Sequence, residues 1–350
     1  MAARKTRVLI VDDSLFMRQF MSAAISKDSG IEVVGTAADH LEAMEALEKL
    51  HPDVMTLDVE MPKMNGIAFL KMLMPQHPLP VLVVSSAPNV VLDAMQAGAV
   101  DFVAKPQSMG EPAESSAFVS ELLIKIKIAS IAKVGQHKHE RPRSEIVKGD
   151  LSECAECGLL VAIGASTGGT EAIASILMDL KEFWAGIVIV QHMPPVFTRM
   201  YAERMNAACA MEVVEARDGE PVSPGKVLIA PGGLQMEVEK YGKGYRVRCY
   251  EGEKVSGHCP SANVLFRSVA RAAGPSAMGV ILTGMGGDGA EGLLEMRRQN
   301  AFTVGQNKES CVVYGMPMVA NNLGAVVKEL PLSEIPRSMH AWYEKMANRR

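Results

Sequence analysis

The sequence predicts an α/β protein built from two doubly wound domains, in which helices cover both faces of a mostly parallel sheet. Short apolar runs alternate with segments of helical periodicity over residues 7–128, and the alternation resumes at Gly158. Between them, residues 131–157 show almost no apolar periodicity, which is typical of an exposed linker. We therefore expect domains at 1–130 and 158–350, and a chain of 350 residues is long enough for two.

The N-terminal domain alternates regularly between strand-like and helix-like segments. The expected strands are Val8–Val11, Ile31–Gly35, Val54–Leu57, Val81–Val84 and Phe102–Val103. The expected helices cover about residues 15–27, 40–50, 65–74, 89–97 and 113–130. Five βα units in about 120 residues indicate one compact domain with a five-stranded parallel sheet, of the flavodoxin-like kind.

The C-terminal domain shows the same alternation with a different set of connections. Its expected buried strands are Leu159–Ile163, Ile187–Val190, Val227–Ile229 and Val280–Leu282. A helix at Thr170–Leu180 follows the first of them, and Tyr245–Tyr250, preceded by Gly242–Gly244, is typical of a polar hairpin. The pattern predicts a Rossmann-like, mostly parallel sheet.

The apolar runs and the cysteines indicate a cytoplasmic protein without membrane insertion. The longest runs, such as Leu159–Ile163, fall far short of the ~20 residues that cross a bilayer. Only Val8–Val11 follow the basic N-terminal stretch, whereas a signal peptide needs about 7–15 apolar residues. Of six cysteines, only Cys154 and Cys157 form a C-x-x-C pair, half of a structural zinc site, so we interpret them as reduced thiols.

The charge balance argues against nucleic acid as the main partner. The formal net charge is −4, from 36 Lys and Arg and 40 Asp and Glu. Neither half of the chain is strongly basic, and the C-terminal half carries no helix-turn-helix signal. A DNA-binding C-terminal domain is therefore a weaker alternative to an enzyme.

Five polar residues follow the strands of the N-terminal domain. Asp12 and Asp13 end the first strand, Asp58 the third and Ser85 the fourth, and the fifth leads into Lys105. Since parallel strands deliver their carboxyl ends to one edge, these groups should converge there. Close carboxylates repel one another unless a cation joins them, and hard oxygen ligands suit Mg²⁺. A carboxylate beside such an ion can take up a phosphoryl group as an acyl phosphate, which the amine and hydroxyl could contact.

At these residues the sequence resembles the receiver domains of bacterial response regulators, over residues 6 to about 128. The matching motifs are Val8-Leu9-Ile10-Val11-Asp12-Asp13-Ser14, Asp58 with Met61-Pro62 and Gly66, Val84-Ser85-Ser86, and Lys105-Pro106. The resemblance implies that Asp58 accepts phosphate from a histidine kinase, that Asp12 and Asp13 hold Mg²⁺ with it, and that Ser85 and Lys105 respond to the phosphoryl group. It also leads us to expect a cis peptide bond at Lys105–Pro106.

A serine lies at the first strand-to-helix turn of the C-terminal domain. The strand Leu159–Ile163 runs into Gly164-Ala165-Ser166-Thr167-Gly168-Gly169, which matches G-x-S-x-G. Such a turn exposes Ser166 above the sheet, and the following helix offers N–H donors to an oxyanion. Glycine-rich turns of this kind more often bind phosphate, so the motif alone leaves both functions open.

A histidine and an aspartate follow two other strands of this domain. Ile187–Val190 leads through Gln191 to His192, and Val280–Leu282 leads to a glycine-rich loop that contains Asp288. Together with Ser166 they supply a nucleophile, a general base and an orienting carboxylate at one sheet edge.

The order of these three residues argues against one common fold for a serine hydrolase. An α/β-hydrolase has the order Ser, Asp or Glu, His, and would need His258 in a polar loop or His340 in a terminal helix as its base. Both are poorer positions than His192. A dinucleotide site is a further alternative, but none of the glycine-rich turns reads as G-x-G-x-x-G with an acidic residue about 20 positions later.

The C-terminal domain resembles the catalytic domain of the chemotaxis methylesterases called CheB, over about residues 158–340. The matching motifs are Gly164-Ala165-Ser166-Thr167-Gly168-Gly169, Gln191-His192-Met193-Pro194, Ala230-Pro231-Gly232-Gly233, Leu282-Thr283-Gly284-Met285-Gly286-Gly287-Asp288-Gly289 and Val312-Val313-Tyr314-Gly315-Met316-Pro317. The resemblance implies hydrolysis of glutamate γ-methyl esters on methyl-accepting chemotaxis receptors and deamidation of specific receptor glutamines.

The same resemblance assigns roles to residues. Ser166 is the nucleophile, His192 the general base and Asp288 its orienter, while Thr167 and the Met285 backbone complete the site. Cys259 stands where relatives commonly have Arg, which puts a substrate contact by that loop in doubt. The hydrolase needs no cofactor, and Mg²⁺ serves only the receiver.

The regulation and the partners follow from the order of the two domains. We expect the receiver to inhibit the hydrolase until Asp58 is phosphorylated. The alternative is a phosphorylation-gated binding module that performs no chemistry. The residues leave open the cognate kinase, the receptors, and whether the pathway is chemotaxis or another chemosensory output.

Overall fold

The computed structural model describes residues 4–106, 108, 111–134, 158–180 and 185–348. The chain divides into two compact units, 1–140 and 141–350, each of which is described by itself. Most of the expected linker, including Cys154 and Cys157, lies outside the described residues. The four cysteines within them, Cys209, Cys249, Cys259 and Cys311, are free thiols.

The N-terminal unit contains five strands and five helices that alternate along the chain. The strands are β1 (Thr6–Val11), β2 (Ile31–Ala37), β3 (Val54–Leu57), β4 (Val81–Ser85) and β5 (Asp101–Ala104). The helices are α1 (Leu15–Ile25), α2 (His40–Leu50), α3 (Gly66–Leu73), α4 (Pro88–Gln96) and α5 (Pro112–Ala129). All neighbours pair in parallel in the order β2-β1-β3-β4-β5. The predicted flavodoxin-like sheet is therefore confirmed.

Short polar side chains fix where three helices of this unit begin. The Ser14 hydroxyl accepts from Met17 N at the start of α1, and the Asp39 carboxylate accepts from Leu41 N at the start of α2. Asn65 does the same for Ala68 N before α3. Each bond satisfies a backbone donor that the first helical turn leaves without a partner. Helix α1 consequently starts directly after the predicted site residues Asp12 and Asp13.

The C-terminal unit is built on a seven-stranded parallel sheet with a three-stranded antiparallel sheet beside it. The strands are β6 (Leu160–Ala165), β7 (Gly186–Gln191), β8 (Glu212–Glu215), β9 (Pro221–Val222), β10 (Lys226–Ile229), β11 (Gln235–Tyr241), β12 (Gly244–Tyr250), β13 (Ala277–Ile281), β14 (Phe302–Gln306) and β15 (Lys328–Leu330). The helices are α6 (Gly169–Asp179), α7 (Phe197–Ala208), α8 (Ala262–Ala273), α9 (Ala290–Arg298), α10 (Met316–Asn322) and α11 (Ile335–Ala347). The predicted mostly parallel sheet is confirmed.

The strand order places three strands side by side at the centre of the large sheet. The order is β15-β14-β13-β6-β7-β10-β8, so β6 lies between β13 and β7. All six residues of β6 and all six of β7 are buried, which is the pattern of strands covered on both faces. The segments that follow β13, β6 and β7 must therefore meet at one edge. The expected polar hairpin is the β11–β12 pair, in the second sheet.

Two further expectations, on a cis peptide bond and on membrane insertion, can be compared with the described residues. The cis peptide bond among them is Cys259–Pro260, so the expectation of a cis bond at Lys105–Pro106 is wrong. Trans is the commoner isomer before proline, and with it the Lys105 ammonium already reaches Asp12 and Asp58. Within the described part of the chain, no helix is both long and apolar enough to cross a membrane.

Candidate active site

The structure brings the acidic residues of the N-terminal unit together at the carboxyl edge of the sheet. Carboxylate oxygens of Asp12, Asp13 and Asp58 lie within 4.8 Å of one another, the one such acidic group found in the described residues. Asp12 and Asp58 are buried and Asp13 is exposed. Three hard oxygen donors at this spacing, one open to water, fit a Mg²⁺ ion. The predicted Mg²⁺ site therefore has suitable ligands.

Lys105 connects two of these carboxylates. Its Nζ lies 2.6 Å from Asp58 Oδ2 and 2.9 Å from Asp12 Oδ2. The other oxygens accept from backbone groups, Asp12 Oδ1 from Ser14 N and Asp58 Oδ1 from Glu60 N. The two Oδ2 atoms thus converge on Lys105 Nζ, where a cation or a phosphoryl group would meet them.

Burial and charge act in opposite directions in this pocket. Burial raises the pKa of Asp12, and the repulsion from Asp58 adds to this, while the Lys105 ammonium opposes both. Burial alone would lower the pKa of Lys105, but its contacts with Asp12 and Asp58 outweigh burial, so its pKa is raised. The ammonium therefore remains charged and acts as the internal partner of the two carboxylates.

Ser85, the predicted hydroxyl of the receiver switch, ends β4 at the same edge and is fully buried. Its Oγ accepts from Ala87 N at 3.1 Å. The next residue, Ser86, donates to Glu60 just beyond Asp58. The segments after β3 and β4 are thus linked beside the predicted phosphorylation site.

In the C-terminal unit, Ser166 lies at the sharp turn that follows β6. Its backbone N donates to Thr283 O at 3.0 Å, and its carbonyl accepts from Gly169 N at 2.7 Å. Gly168 has a φ of 77°, which favours glycine, and a Cβ at Gly169 would collide with the Gln191 side chain. A Cβ at Gly284 would lie 2.6 Å from Ser166 Cβ. Glycines in the serine turn and in the loop after β13 therefore allow close packing around Ser166.

His192 immediately follows β7 and is joined to the serine turn by the strand pairing. Ala165 pairs with Gln191, and His192 N donates to Ala165 O at 3.1 Å. Neighbouring strands lie about 4.8 Å apart, so Ser166 and His192 begin adjacent segments. No hydrogen bond between Ser166 Oγ and the imidazole is formed among the described residues, as is common for a serine hydrolase without substrate.

The imidazole of His192 contacts Asp288 through one ring nitrogen. Nε2 lies 2.8 Å from Asp288 Oδ2, while Nδ1 is buried and has no hydrogen-bond partner in the described chain. With Asp288 ionised, Nε2 carries the hydrogen and Nδ1 keeps a free lone pair. Burial acts to raise the pKa of Asp288, but hydrogen bonds from His192, Ser261 and Ala262 outweigh it, so the pKa is lowered. The geometry thus leaves Nδ1 as the basic nitrogen.

Two residues near this pair were missed by the sequence reasoning. The ring of His258 stacks on that of His192, with centroids 3.7 Å apart and planes 7° from parallel. Ser261 Oγ donates to Asp288 Oδ1 at 2.7 Å. Both belong to the segment before α8, which follows no apolar strand and so carried no sequence signal. His258 was considered only as an alternative base, in place of His192.

The two residues expected to complete the site take different positions. Thr167 is 5% exposed, and its carbonyl accepts from Thr283 Oγ1 at 3.0 Å. Met285 lies in the loop after β13 with 41% of its surface exposed, and its N–H makes no hydrogen bond to another described residue. The Met285 N–H is therefore available as a donor beside the serine turn. Thr167 instead stabilises the turn through the hydrogen bond that its carbonyl accepts from Thr283.

Comparison with known proteins identifies the family. The model of the CheB methylesterase family matches residues 161–339, and the model of the response regulator receiver domain matches residues 8–114. The chain belongs to the CheB methylesterase family. Its receiver occupies the N-terminal unit, and the segments that carry Ser166, His192 and Asp288 all fall within the methylesterase match.

Relatives of this CheB family chain match it over nearly its full length. It is 52% identical over 340 residues to a protein of Syntrophomonas wolfei named protein-glutamate methylesterase/protein-glutamine glutaminase 2, covering 97% of this chain and 98% of that one. It is 46% identical over 341 residues to the Salmonella typhimurium protein-glutamate methylesterase/protein-glutamine glutaminase, covering 96% and 97%. The crystal structure of the Thermotoga maritima CheB methylesterase catalytic domain is 36% identical, with a TM-score of 0.51, over 52% of this chain and 97% of that one.

Proposed function

We propose that this chain hydrolyses glutamate γ-methyl esters on methyl-accepting chemotaxis receptors and deamidates specific receptor glutamines, under the control of its receiver. The observation that carries the proposal is the 2.8 Å contact between His192 Nε2 and Asp288 Oδ2 beside the Ser166 turn. The names of relatives at 46% and 52% identity support the reaction and the substrate class. A buried imidazole that contacts a carboxylate and keeps a free lone pair on Nδ1 favours a hydrolase over a binding module without chemistry.

The reaction we propose starts at Ser166. Its hydroxyl attacks the ester carbonyl while His192 Nδ1 takes the proton, which gives a tetrahedral intermediate with an oxyanion. The Met285 N–H and N–H groups at the start of α6 would stabilise that charge. His192 then returns its proton to the leaving oxygen and methanol departs.

The second half of the reaction repeats these steps with water. His192 Nδ1 takes a proton from water as the hydroxide attacks the acyl-enzyme. Nδ1 then gives this proton to Ser166 Oγ as the acyl–Oγ bond breaks and glutamate forms. With a glutamine substrate the leaving group is ammonia, and the later steps are identical. Asp288 stays ionised throughout, holds the Nε2–H tautomer and stabilises the imidazolium.

Phosphorylation of Asp58 is the proposed control. Asp12, Asp13 and Asp58 would hold Mg²⁺, which neutralises charge on the incoming phosphoryl group. Lys105 and Ser85 would then contact the phosphoryl oxygens. A histidine kinase is the expected phosphodonor. We propose a location in the cytoplasm, which agrees with both the kinase and the receptors as partners.

The decisive experiment is methanol release from receptor-containing membranes labelled on their methyl groups. Wild-type chain should release labelled methanol, faster with a small-molecule phosphodonor and Mg²⁺ than without. In parallel, a serine-directed fluorophosphonate should label Ser166 and stop methanol release in the same proportion. Absence of both labelling and methanol release would overturn the proposal.

A further inference from the structure

The carboxylate of Asp288 is surrounded by hydrogen-bond donors. Oδ2 accepts from His192 Nε2 at 2.8 Å and from Ala262 N at 2.7 Å. Oδ1 accepts from Ser261 Oγ at 2.7 Å and from Asn263 N at 3.1 Å. A carboxylate offers about four lone-pair positions, so each of them has a donor here.

Three of the four donors belong to the first turn of α8. Ser261 is the N-cap of this helix, and Ala262 and Asn263 are its first residues. The end of a 12-residue helix carries partial positive charge and free N–H groups, which favour a nearby anion. Asp288 is only 2% exposed, so these contacts replace the water that would otherwise solvate its charge.

The hydroxyl of Ser261 does more than cap the helix. As a cap it accepts from Asn263 N at 3.2 Å, which uses a lone pair. Its hydrogen is directed to Asp288 and is not required by the cap. The side chain is fully buried, and Gln235 Oε1 accepts from Ser261 N at 2.9 Å, so the hydroxyl is held in place. The two roles of this serine can therefore be separated by substitution.

We propose that Ser261 is a positioning residue of the hydrolase, whose hydroxyl keeps Asp288 ionised and directs Oδ2 to His192 Nε2. The inference rests on the proposed triad and adds a fourth side chain to it. Without this donor, Oδ1 keeps only the longer bond from Asn263 N. The carboxylate then gains proton affinity and rotates more freely, and the imidazole loses a fixed partner.

Few charged and titratable groups surround Asp288 in the described part of the chain, so a change in the pH dependence of activity can be assigned to it. His192 is the titratable group in contact with it, and His258 lies behind His192. On α9, Glu291 is paired with Arg267 of α8. Removing a donor from the Asp288 carboxylate raises its proton affinity. Because the proposed mechanism needs Asp288 ionised, the acidic limb of activity should move to higher pH.

The test compares four variants of the full-length chain with the wild type. Ser261→Gly removes the hydroxyl but keeps a residue that is acceptable at an N-cap, and Ser261→Ala removes both. Ser261→Thr restores the hydroxyl. Ser268→Ala is the matched control, since Ser268 is a buried serine of the same helix that bonds to Leu265 O and Val238 N and not to Asp288.

Two readouts keep the inference separate from the substrate assignment. One is kcat and KM for methanol release, and the other is the rate of inactivation by a fluorophosphonate between pH 5 and 9, which needs no receptor. Ser261→Gly should lower kcat by about tenfold to a hundredfold, with little change in KM, and move the acidic limb upward. Ser261→Thr should recover most of both, and Ser268→Ala should change only thermal stability.

The inference would be overturned if folded Ser261→Gly, with a thermal transition near that of Ser268→Ala, kept kcat within about twofold and an unmoved acidic limb. It would equally fail if Ser261→Gly and Ser268→Ala lost activity to the same extent and the acidic limb of the pH profile did not move in either variant. If the wild type released no methanol but still reacted with the fluorophosphonate, the substrate assignment would fail. The acidic limb of fluorophosphonate inactivation would still test the role of Ser261.

Discussion

His258 lies flat against His192, with the ring centroids 3.7 Å apart and the planes 7° from parallel. Since His192 is held at one edge by Asp288, the stacked ring fixes the remaining freedom, rotation of the imidazole out of its plane. His258→Ala should therefore lower kcat about tenfold, the size of one aromatic contact. His258→Phe should recover most of it. The measurement is methanol release, with His340→Ala on α11 as a control that should retain wild-type kcat. Equal losses in the Phe and Ala variants would show that stacking is not the role of His258.

Ser166→Ala should abolish esterase and deamidase activity, because the proposed mechanism uses the Ser166 hydroxyl as the nucleophile. We expect less than about a hundredth of the wild-type rate, with His192→Ala similarly low, since the members of a triad act as a unit. Phosphorylation of the receiver should be unchanged. More than about a tenth of the wild-type rate in Ser166→Ala would contradict its role as nucleophile.

Asp58→Asn should remove activation by a phosphodonor and keep basal turnover. The reason is that Asp58 holds the carboxylate contacted by Lys105, in a different unit from the hydrolase residues. The variant should take up no phosphate that is labile to both acid and base, and wild type without Mg²⁺ should take up none either. Labile phosphate on Asp58→Asn would point to another acceptor.

Asp12→Asn should stabilise the receiver while preventing its phosphorylation. Burial, and then repulsion from Asp58, raise the pKa of Asp12, so its ionised form is unfavourable in the folded state at neutral pH. The thermal transition of the receiver should rise by a few degrees, the effect of about 1 kcal/mol in a domain of this size. The gain should shrink as the pH falls through the raised pKa, because wild-type Asp12 then becomes neutral too.

A metal titration separates this electrostatic effect from a general one. Mg²⁺ should raise the transition of the wild-type receiver, since a ligand that binds the folded state stabilises it, and should have much less effect on Asp12→Asn. Asp53→Asn is a suitable control because Asp53 pairs with Arg4 at the opposite end of β3. An equal response to Mg²⁺ in wild type and Asp12→Asn would exclude Asp12 as a ligand.

Residues 150–350 expressed alone should be faster than the unphosphorylated full-length chain. We expect the receiver to inhibit, and a coupling of about 1–3 kcal/mol limits the difference to roughly 5–150-fold. The comparison uses initial rates on methylated receptor. If the fragment is no faster, the phosphorylated receiver must instead contribute positively to turnover.

The sequence predicted the residues that follow buried strands, and for a physical reason. Apolar runs such as Leu159–Ile163 mark parallel strands, and the topology then requires the next polar residues to meet at one edge. Asp12, Asp58 and Lys105 come into contact there, as do His192 and Asp288. The predicted roles of these residues await the experiments above.

The remaining parts of the site depend on tertiary contacts that no local pattern encodes. His258 and Ser261 reach the site from the segment that precedes α8. The orientation of the His192 ring depends on where Asp288 lies, which follows from the packing of α8 against the loop after β13. Edge strands such as β8 and β15 were also missed, because three or four residues with mixed exposure give no clear periodicity.

Lys105 contacts the carboxylate oxygens for which a metal cation would compete. Its ammonium already balances the charge of Asp12 and Asp58, so an entering divalent ion meets oxygens that have a resident counterion. A Mg²⁺ ion bound at these oxygens would use part of its binding free energy to displace that counterion, which would weaken its apparent affinity. Lys105→Ala should therefore bind Mg²⁺ more tightly than the wild type and yet respond less to phosphorylation. Lys105 would thus lower the affinity for Mg²⁺ while supplying a charge that can move when a phosphoryl group binds.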